Sequence, residues 1–157
     1  MTDHRTRTKA APPIAIGWRE WASLPELGVK RIKAKIDTGA KTSALHAFDI
    51  RAVERGGALF VEFAVHPIQK KKRPEVRCAA PVVARRRIKS SNGGTEERYV
   101  IRTKLKLGVK AFVIELSLAN RDAMGFRLLL GRDALKKSFV VEPGRSYRLG
   151  RYQRISR

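Results

Sequence analysis

The sequence predicts a single domain built mostly of β-strands. Apolar residues alternate with polar ones along most of the chain, and Gly, Pro, Asn and Ser cluster between the alternating runs. The length of 157 residues fits one domain, and a hydrophobic share of 43% supplies a core. Helical periodicity is scarce, so we expect one short helix, near the C-terminus.

The first half of the chain predicts two β-hairpins and a basic loop. Four strands are expected, near 14–24, 29–37, 44–53 and 58–66. The turns between them lie at Pro25 to Gly28 and at Arg55 to Gly57, where glycine allows the chain to reverse. The loop at 67–74 follows and carries Lys70, Lys71, Lys72 and Arg73.

The second half predicts a longer hairpin and then a short helix. Further strands are expected near 75–89, 96–107 and 111–118. SSNGGT at 90–95 is the strongest turn signal, because Asn-Gly tolerates the positive φ of a tight hairpin. The strand at 96–107 alternates apolar residues with Arg102, Lys104 and Lys106, as expected for a half-buried sheet. The last elements are expected at 126–130 (strand), 132–137 (helix) and 139–141 (strand).

Basic tails flank the domain, which we place at residues 14–143. Residues 1–13 are polar and lack the apolar segment of a signal peptide, so a disordered tail is expected there. Residues 144–157 form a second tail, in which arginine recurs at 145, 148, 151, 154 and 157. We expect it to be exposed and flexible.

The charge of the chain is strongly positive. There are 35 Lys and Arg against 14 Asp and Glu, which gives a net charge of +21. Such a field attracts polyanions, so nucleic acid, an acidic peptide or an anionic surface are all possible partners on charge alone.

Cysteine use and hydropathy point to a cytoplasmic protein with no membrane partner. Cys78 is the single cysteine, so no disulfide can form within the chain, and its apolar neighbours predict an inert buried thiol. No apolar run approaches the roughly 18 residues of a spanning helix.

Two separated motifs carry the chemistry. In IKAKIDTGAKTS, at 32–43, an alternating strand ends at Asp37 and is followed by Thr38 and Gly39. Backbone N–H groups of a tight turn can hydrogen-bond such a carboxylate and hold it rigid. By itself this is also an ordinary Asp-initiated turn. The second motif is FRLLLGRDAL at 126–135, a three-leucine strand that ends in glycine before the expected helix.

The pair of motifs resembles the retropepsin-like aspartic peptidases, in which the second strand threads past the active-site loop and braces it. Three stretches are similar to the bacterial, RimK-associated family labelled ATP-dependent zinc protease and also described as retropepsin-like: GWREWASLPELGVKRIKAKIDTGAKTSALHA (17–47), SSNGG with ERYVIRT (90–103) and NRDAMGFRLLLGRDAL (120–135). The resemblance spans roughly 14–143 and implies a closed β-barrel.

The resemblance also implies an aspartic endopeptidase that works as a homodimer. Amide hydrolysis by this route needs two carboxylates that share one proton. The chain has one such motif, so a two-fold axis would bring Asp37 of each copy together. Thr38 would support the pair by hydrogen bonds, and Gly39 would permit close approach of the substrate. The family is associated with ligases that add glutamates to a small-subunit ribosomal protein, so this glutamylated ribosomal protein or another acidic peptide is the implied substrate.

The implied substrate-binding residues are Ala40, Lys41 and Arg132. Retropepsins typically carry an acid at the position of Lys41, and that acid pairs with the Arg of their Gly-Arg segment. The change leaves Lys41 and Arg132 available to face the cleft, where positive charge suits polyglutamate. Retropepsins cover the cleft with a hairpin flap, and residues 67–74 and 90–95 both qualify.

The sequence contains no motif for binding the zinc or the ATP that the family label mentions. The soft metal ligands are His4, His46, His66 and Cys78, and no pair has the short spacing of a metal site. The sequence has neither a His-Glu-x-x-His motif nor a phosphate-binding loop. We therefore expect no metal and no cofactor, and a packing or hydrogen-bonding role for His46.

Two other functions stay open. An inactive peptidase fold could serve as a dimeric peptide-binding cleft, since it would share every motif with the enzyme. A basic ribosome-binding or RNA-binding module could use Arg85 to Arg87, Lys89, the loop at 67–74 and the arginine tail to contact phosphates. Aromatic residues make up only 7% of the chain, and no aromatic-rich strand motif for stacking bases is apparent.

Overall fold

The structure, a computed structural model, describes residues 11–89, 93–120 and 125–150, without the side chains of 88 and 89. The strands are β1 Ile14–Ile16, β2 Arg19–Leu24, β3 Val29–Ile36, β4 Ser43–His46, β5 Phe48–Arg55, β6 Ala58–Val65, β7 Val76–Lys89, β8 Thr95–Leu107, β9 Lys110–Ala119, β10 Leu128–Leu130 and β11 Phe139–Val141. A 3-10 turn at Pro25–Leu27 joins β2 to β3, and the helix α1 is Arg132–Leu135. The mostly β, single-domain class with one short helix near the C-terminus is confirmed.

Six strands close into a barrel in the order β2, β3, β10, β4, β9 and β8. The barrel closes where Ser23 of β2 pairs with Lys106 of β8. Alternate residues of β8 point inward, so Ile101, Leu105 and Leu107 are fully buried while the lysines between them face outward. The expected closed retropepsin-like barrel is confirmed.

The strand that positions the site is β10. It lies between β3 and β4, parallel to β3 and antiparallel to β4. Leu128 and Leu130 are fully buried, which ties this short strand into the core. The second motif therefore passes directly beside the ends of both strands that flank the Asp37 turn.

Three strands continue the sheet beyond the barrel, because β7 pairs with β8 and then carries β6 and β5. The long β7–β8 hairpin matches the predicted one, although its tip at 90–92 lies outside the described residues. Residues 67–74 form the other predicted loop, between β6 and β7.

Two predicted strands are each divided in the structure. The strand expected at 14–24 breaks at Gly17 and Trp18, where Trp18 N–H donates to the Arg145 carbonyl at 2.8 Å. A Cβ at Gly17 would lie 2.3 Å from that carbonyl oxygen, so the contact requires glycine. The strand expected at 44–53 breaks at Ala47, whose N–H donates to Ala119. The helix is shorter than the predicted 132–137.

Residues 144–150 are fixed to the barrel, although the sequence placed the end of the domain at 143. The carboxylate of Glu20 is fully buried and accepts N–H groups of Gly17, Arg148 and Leu149 at 2.7, 2.8 and 3.1 Å. These bonds offset the cost of burying the charge. The rest of the predicted C-terminal tail, 151–157, and residues 1–10 of the N-terminal tail lie outside the described residues.

Candidate active site

The Asp37 turn is held by backbone hydrogen bonds at the end of β3. Asp37 N–H donates to the Leu130 carbonyl of β10 at 2.8 Å, and its Oδ1 accepts the Gly39 N–H at 3.1 Å. A third bond runs from Ala40 N–H to the Asp37 carbonyl at 3.1 Å. Asp37 is half-buried, while Thr38 and Gly39 are exposed. The carboxylate is thus oriented by its own turn and lies at the surface of the single chain.

Gly131 locks β10 and α1 onto this turn. Its N–H donates to Ser43 Oγ at 3.0 Å in a buried contact. A Cβ at this position would lie 2.4 Å from the Thr42 carbonyl oxygen and 2.8 Å from that of Ala40. Only a residue without a side chain allows the two backbones to approach so closely.

The next residues of the second motif bind the same turn. Arg132 N–H donates to the Ala40 carbonyl at 2.8 Å, and its guanidinium donates to the Thr38 carbonyl at 2.9 Å. Asp133 N–H donates to the Lys41 carbonyl at 2.9 Å. Four residues of the turn, at positions 37, 38, 40 and 41, are therefore tied to the second motif through their backbone, and Ser43 is tied to it through its hydroxyl.

Lys41 forms an ion pair that the sequence interpretation missed. Lys41 Nζ lies 2.9 Å from Asp133 Oδ2, and Lys136 Nζ lies 3.4 Å from Asp133 Oδ1. The hydrogen bond from Lys41 holds the pKa of Asp133 below its usual value, and the second lysine contributes less. The usual ion pair between an acid at position 41 and Arg132 is absent, as expected, but Lys41 and Arg132 each have another partner.

A cavity of about 530 Å³ opens on one side of the turn, between α1 and β9. Lys41, Thr42 and Ser43 form one wall, and Val113 and Ile114 belong to the other. Its charged lining residues are three cations, Lys41, Arg86 and Lys137, and two acids, Glu115 and Asp133, which pair with Arg86 at 3.7 Å and with Lys41 at 2.9 Å. Asp37 does not line this cavity, so any reaction at Asp37 would take place beside it rather than within it.

The expected site residues Asp37, Thr38, Gly39, Ala40, Lys41 and Arg132 are all brought together by these contacts. Sequence reasoning did not assign roles to Ser43 and Asp133. Asp133 could have been found as the acid next to Arg132 in the Gly-Arg-Asp motif, whereas no sequence signal marks Ser43.

The soft metal ligands do not form a metal centre in the described part of the chain. No group of three or more His, Cys, Asp or Glu side chains there could hold an ion. His66 pairs with Glu75 at 3.2 Å, and His46 is buried. Burial raises the pKa of the Cys78 thiol to about 11, consistent with the inert buried cysteine that the sequence predicted. No helix among the described residues is long and apolar enough to cross a membrane.

A closed barrel whose Asp-Thr-Gly turn is braced by a threaded C-terminal strand defines the retropepsin-like aspartic peptidase class. The family model described as retropepsin-like aspartic endopeptidase RimB matches residues 15–151. The chain therefore belongs to the RimB-like family.

One solved structure and several curated proteins are similar to this chain. The crystal structure of a protein of unknown function from Legionella pneumophila superposes on this chain with a TM-score of 0.74. The two sequences are 30% identical, and the match covers 87% of this chain and 98% of that one. Proteins named probable alpha-L-glutamate ligase are 50% identical over 90% of this chain in Desulfotalea psychrophila and 50% over 86% in Shewanella pealeana. The match covers 30% of the length of either ligase.

Proposed function

We propose that the protein is an aspartic-type peptidase that acts as a homodimer, with Asp37 of each copy forming one catalytic pair. The observation that carries the proposal is the Asp37 carboxylate, held by the Gly39 N–H on a turn braced by β10, in a chain of the aspartic endopeptidase family. The chain has one Asp-Thr-Gly motif, so the second carboxylate must come from a second copy.

The proposed reaction follows from two carboxyl groups that share one proton. The ionised Asp37 takes a proton from water, and the oxygen attacks the peptide carbonyl. The protonated Asp37 of the other copy donates a hydrogen bond and then its proton to the carbonyl oxygen. Collapse of the tetrahedral intermediate breaks the C–N bond: the first Asp37 gives the nitrogen the proton that it took from water, and the Asp37 of the other copy takes a proton back from the hydroxyl that becomes the new carboxyl group.

The proposed substrate is a glutamate-rich peptide, such as the tail of a glutamylated ribosomal protein. Three cations, Lys41, Arg86 and Lys137, line the cavity next to the Asp37 turn against two acids, so the lining keeps a net positive charge that would attract carboxylates. The relatives that contain a segment similar to this chain are named as probable alpha-L-glutamate ligases, and this name supports a substrate that contains glutamate.

Asp37→Asn tests the proposal, with Asp49→Asn as the matched control. Asp49 lies on β5, is exposed and has a φ of 57°, which asparagine tolerates, so this variant makes the same chemical change outside the turn at the cost of one exposed ion pair with Arg77. We expect Asp37→Asn to lose at least about a thousandfold in turnover of a glutamate-rich peptide, since the amide cannot share the proton. Asp49→Asn should remain as active as the wild type.

Retained activity of Asp37→Asn would contradict the proposed carboxylate pair. A wild-type protein that binds glutamate-rich peptides as a dimer, yet cleaves none, would instead support the peptide-binding cleft without catalysis. Peptide binding by calorimetry and product formation by chromatography separate the two outcomes.

A further inference from the structure

The outer face of the β2–β3 hairpin places cations around aromatic rings. Arg19 and Trp21 face outward on β2, because the residues between and after them are buried. Lys35 and Lys33 lie opposite them on β3. Tyr147, from the segment fixed by Glu20, stacks on Trp21 with ring centroids 6.0 Å apart and planes 24° apart. All of these side chains are partly or fully exposed.

The rings hold the cations at defined positions. The Arg19 guanidinium lies 4.6 Å from the centroid of the Trp18 ring and 5.0 Å from that of Tyr147. Arg31 and Lys33 lie 5.2 and 5.3 Å from the centroid of Trp21. Cation–π contacts of this kind position the positive charges without neutralising them.

Five cations on and beside this face form no ion pair within the described residues, although the exposed Glu26 carboxylate accepts the backbone N–H of one of them, Lys104, at 3.1 Å. Elsewhere on the described surface, carboxylates such as Glu62, Glu115 and Asp133 pair with neighbouring lysines and arginines. Within the described residues, no ion pair involves Arg19, Lys33, Lys35, Lys104 or Lys106. The last two extend the face across β8, since Lys106 pairs with Ser23. The one carboxylate on β2, Glu20, is buried beneath it.

We infer that the outer face of β2, β3 and β8 binds single-stranded RNA. Its cations would contact phosphates, and bases would stack on the part of the Trp21–Tyr147 ring pair that is exposed. An acidic polypeptide would satisfy the cations but has no base to stack on the rings. A duplex would hide the faces of its bases. The surface does not include Asp37, so this binding is independent of the proposed peptidase reaction.

The charge contribution is tested with a fluorescently labelled uridine oligonucleotide and anisotropy at several salt concentrations. Lys33→Ser/Lys35→Ser removes two cations from the face, and Lys70→Ser/Lys71→Ser removes the same charge from the loop at 67–74. We expect the first variant to bind about tenfold more weakly, and its slope of log affinity against log salt to shrink by about 1.4. The control variant should stay within about twofold of the wild type.

Stacking is tested with Trp21→Leu, which keeps every charge. Its affinity should fall about fivefold or more with the salt slope unchanged, and thermal unfolding checks that it folds. If Trp21→Leu does not fold, quenching of wild-type tryptophan fluorescence by the oligonucleotide replaces this measurement, and absence of quenching overturns the inference. The inference is also overturned if the control variant loses as much affinity as Lys33→Ser/Lys35→Ser. It is overturned as well if polyglutamate or an RNA duplex binds the face as tightly as the oligonucleotide does.

Discussion

At the scale of single residues, the site has a lysine–aspartate ion pair in place of the acid–arginine pair that is typical of retropepsins. Lys41 stands where retropepsins typically carry an acid, and its ammonium group pairs with Asp133. The Arg132 guanidinium, without a carboxylate at position 41, binds the Thr38 carbonyl instead. The turn is therefore still connected to the second motif by side chains, although the signs of the charges differ.

The pKa of Asp133 reports directly on this pair. It lies below the usual 3.8, chiefly because of the hydrogen bond from Lys41, so Lys41→Gln should raise it toward that value. A lowered pKa stabilises the fold above pH 3.8, and this stabilisation is lost as the pH falls through the lowered pKa. The stability difference between wild type and variant should thus disappear in acid. NMR titration of the carboxyl carbon and unfolding at several pH values measure both effects, and an unchanged pKa would contradict the pairing.

Lys41 should also affect substrate choice if the cavity beside the turn receives acidic side chains. We expect Lys41→Gln to reduce cleavage of glutamate-rich peptides by about tenfold, with a much smaller effect on neutral peptides. Lys136→Gln is the matched control, because Lys136 also contacts Asp133 but does not line the cavity. Competition between the two peptides at low and high salt checks this, and a wild type without preference at low salt would contradict it.

At the scale of elements, β10 and the residue that follows it assemble the site. The strand joins β3 to β4, and Gly131 then passes so close to Ala40 and Thr42 that no Cβ fits. The short helix contributes its first residues as hydrogen-bond donors to the turn.

Gly131→Ala should loosen this assembly. Its backbone φ of −91° suits alanine, so the expected loss of about 1–3 kcal/mol in unfolding free energy comes from the clash with the two carbonyls. Gly125→Ala is the control, because a Cβ there meets nothing within 4 Å, and its effect should stay within about 0.5 kcal/mol. Urea unfolding of both variants measures the difference. Equal stabilities would show that the close approach is not required.

The sequence predicted the barrel strands well where local alternation determines them, as in β8, and it predicted the Asp37 turn from its own residues. It failed where a distant segment decides the outcome. Gly17 ends β1 because the Arg145 carbonyl occupies the space of a side chain, and Lys41 meets Asp133 across 92 positions of sequence. The fixed segment 144–150 was missed because the buried carboxylate that holds it, Glu20, looks like an ordinary polar residue of an alternating strand.

At the scale of the whole molecule, charge and assembly oppose each other. Each copy carries +21, so two copies repel, yet the proposed reaction requires two Asp37 side chains. The carboxylates themselves would repel as well unless they share a proton.

We therefore expect a homodimer that tightens with salt. Raising the ionic strength shortens the screening length, to about 10 Å at 0.1 M, and weakens the repulsion between copies. Sedimentation velocity at two salt concentrations should show a lower dissociation constant at the higher one. An active protein that remains monomeric under all conditions would exclude the proposed mechanism.

The threading of β10 has a consequence for the order of events during folding. The Asp37 turn is braced by residues 130–133, which are made long after it in synthesis. Contacts between such distant positions form late, because a large loop must close first. During synthesis the chain thus contains Asp37 before the residues that hydrogen-bond its turn have been made. The turn reaches its final structure only when β10 inserts between β3 and β4 and the barrel closes. Two folded copies are then needed before the proposed carboxylate pair can form, so under this proposal a nascent chain would carry no complete site.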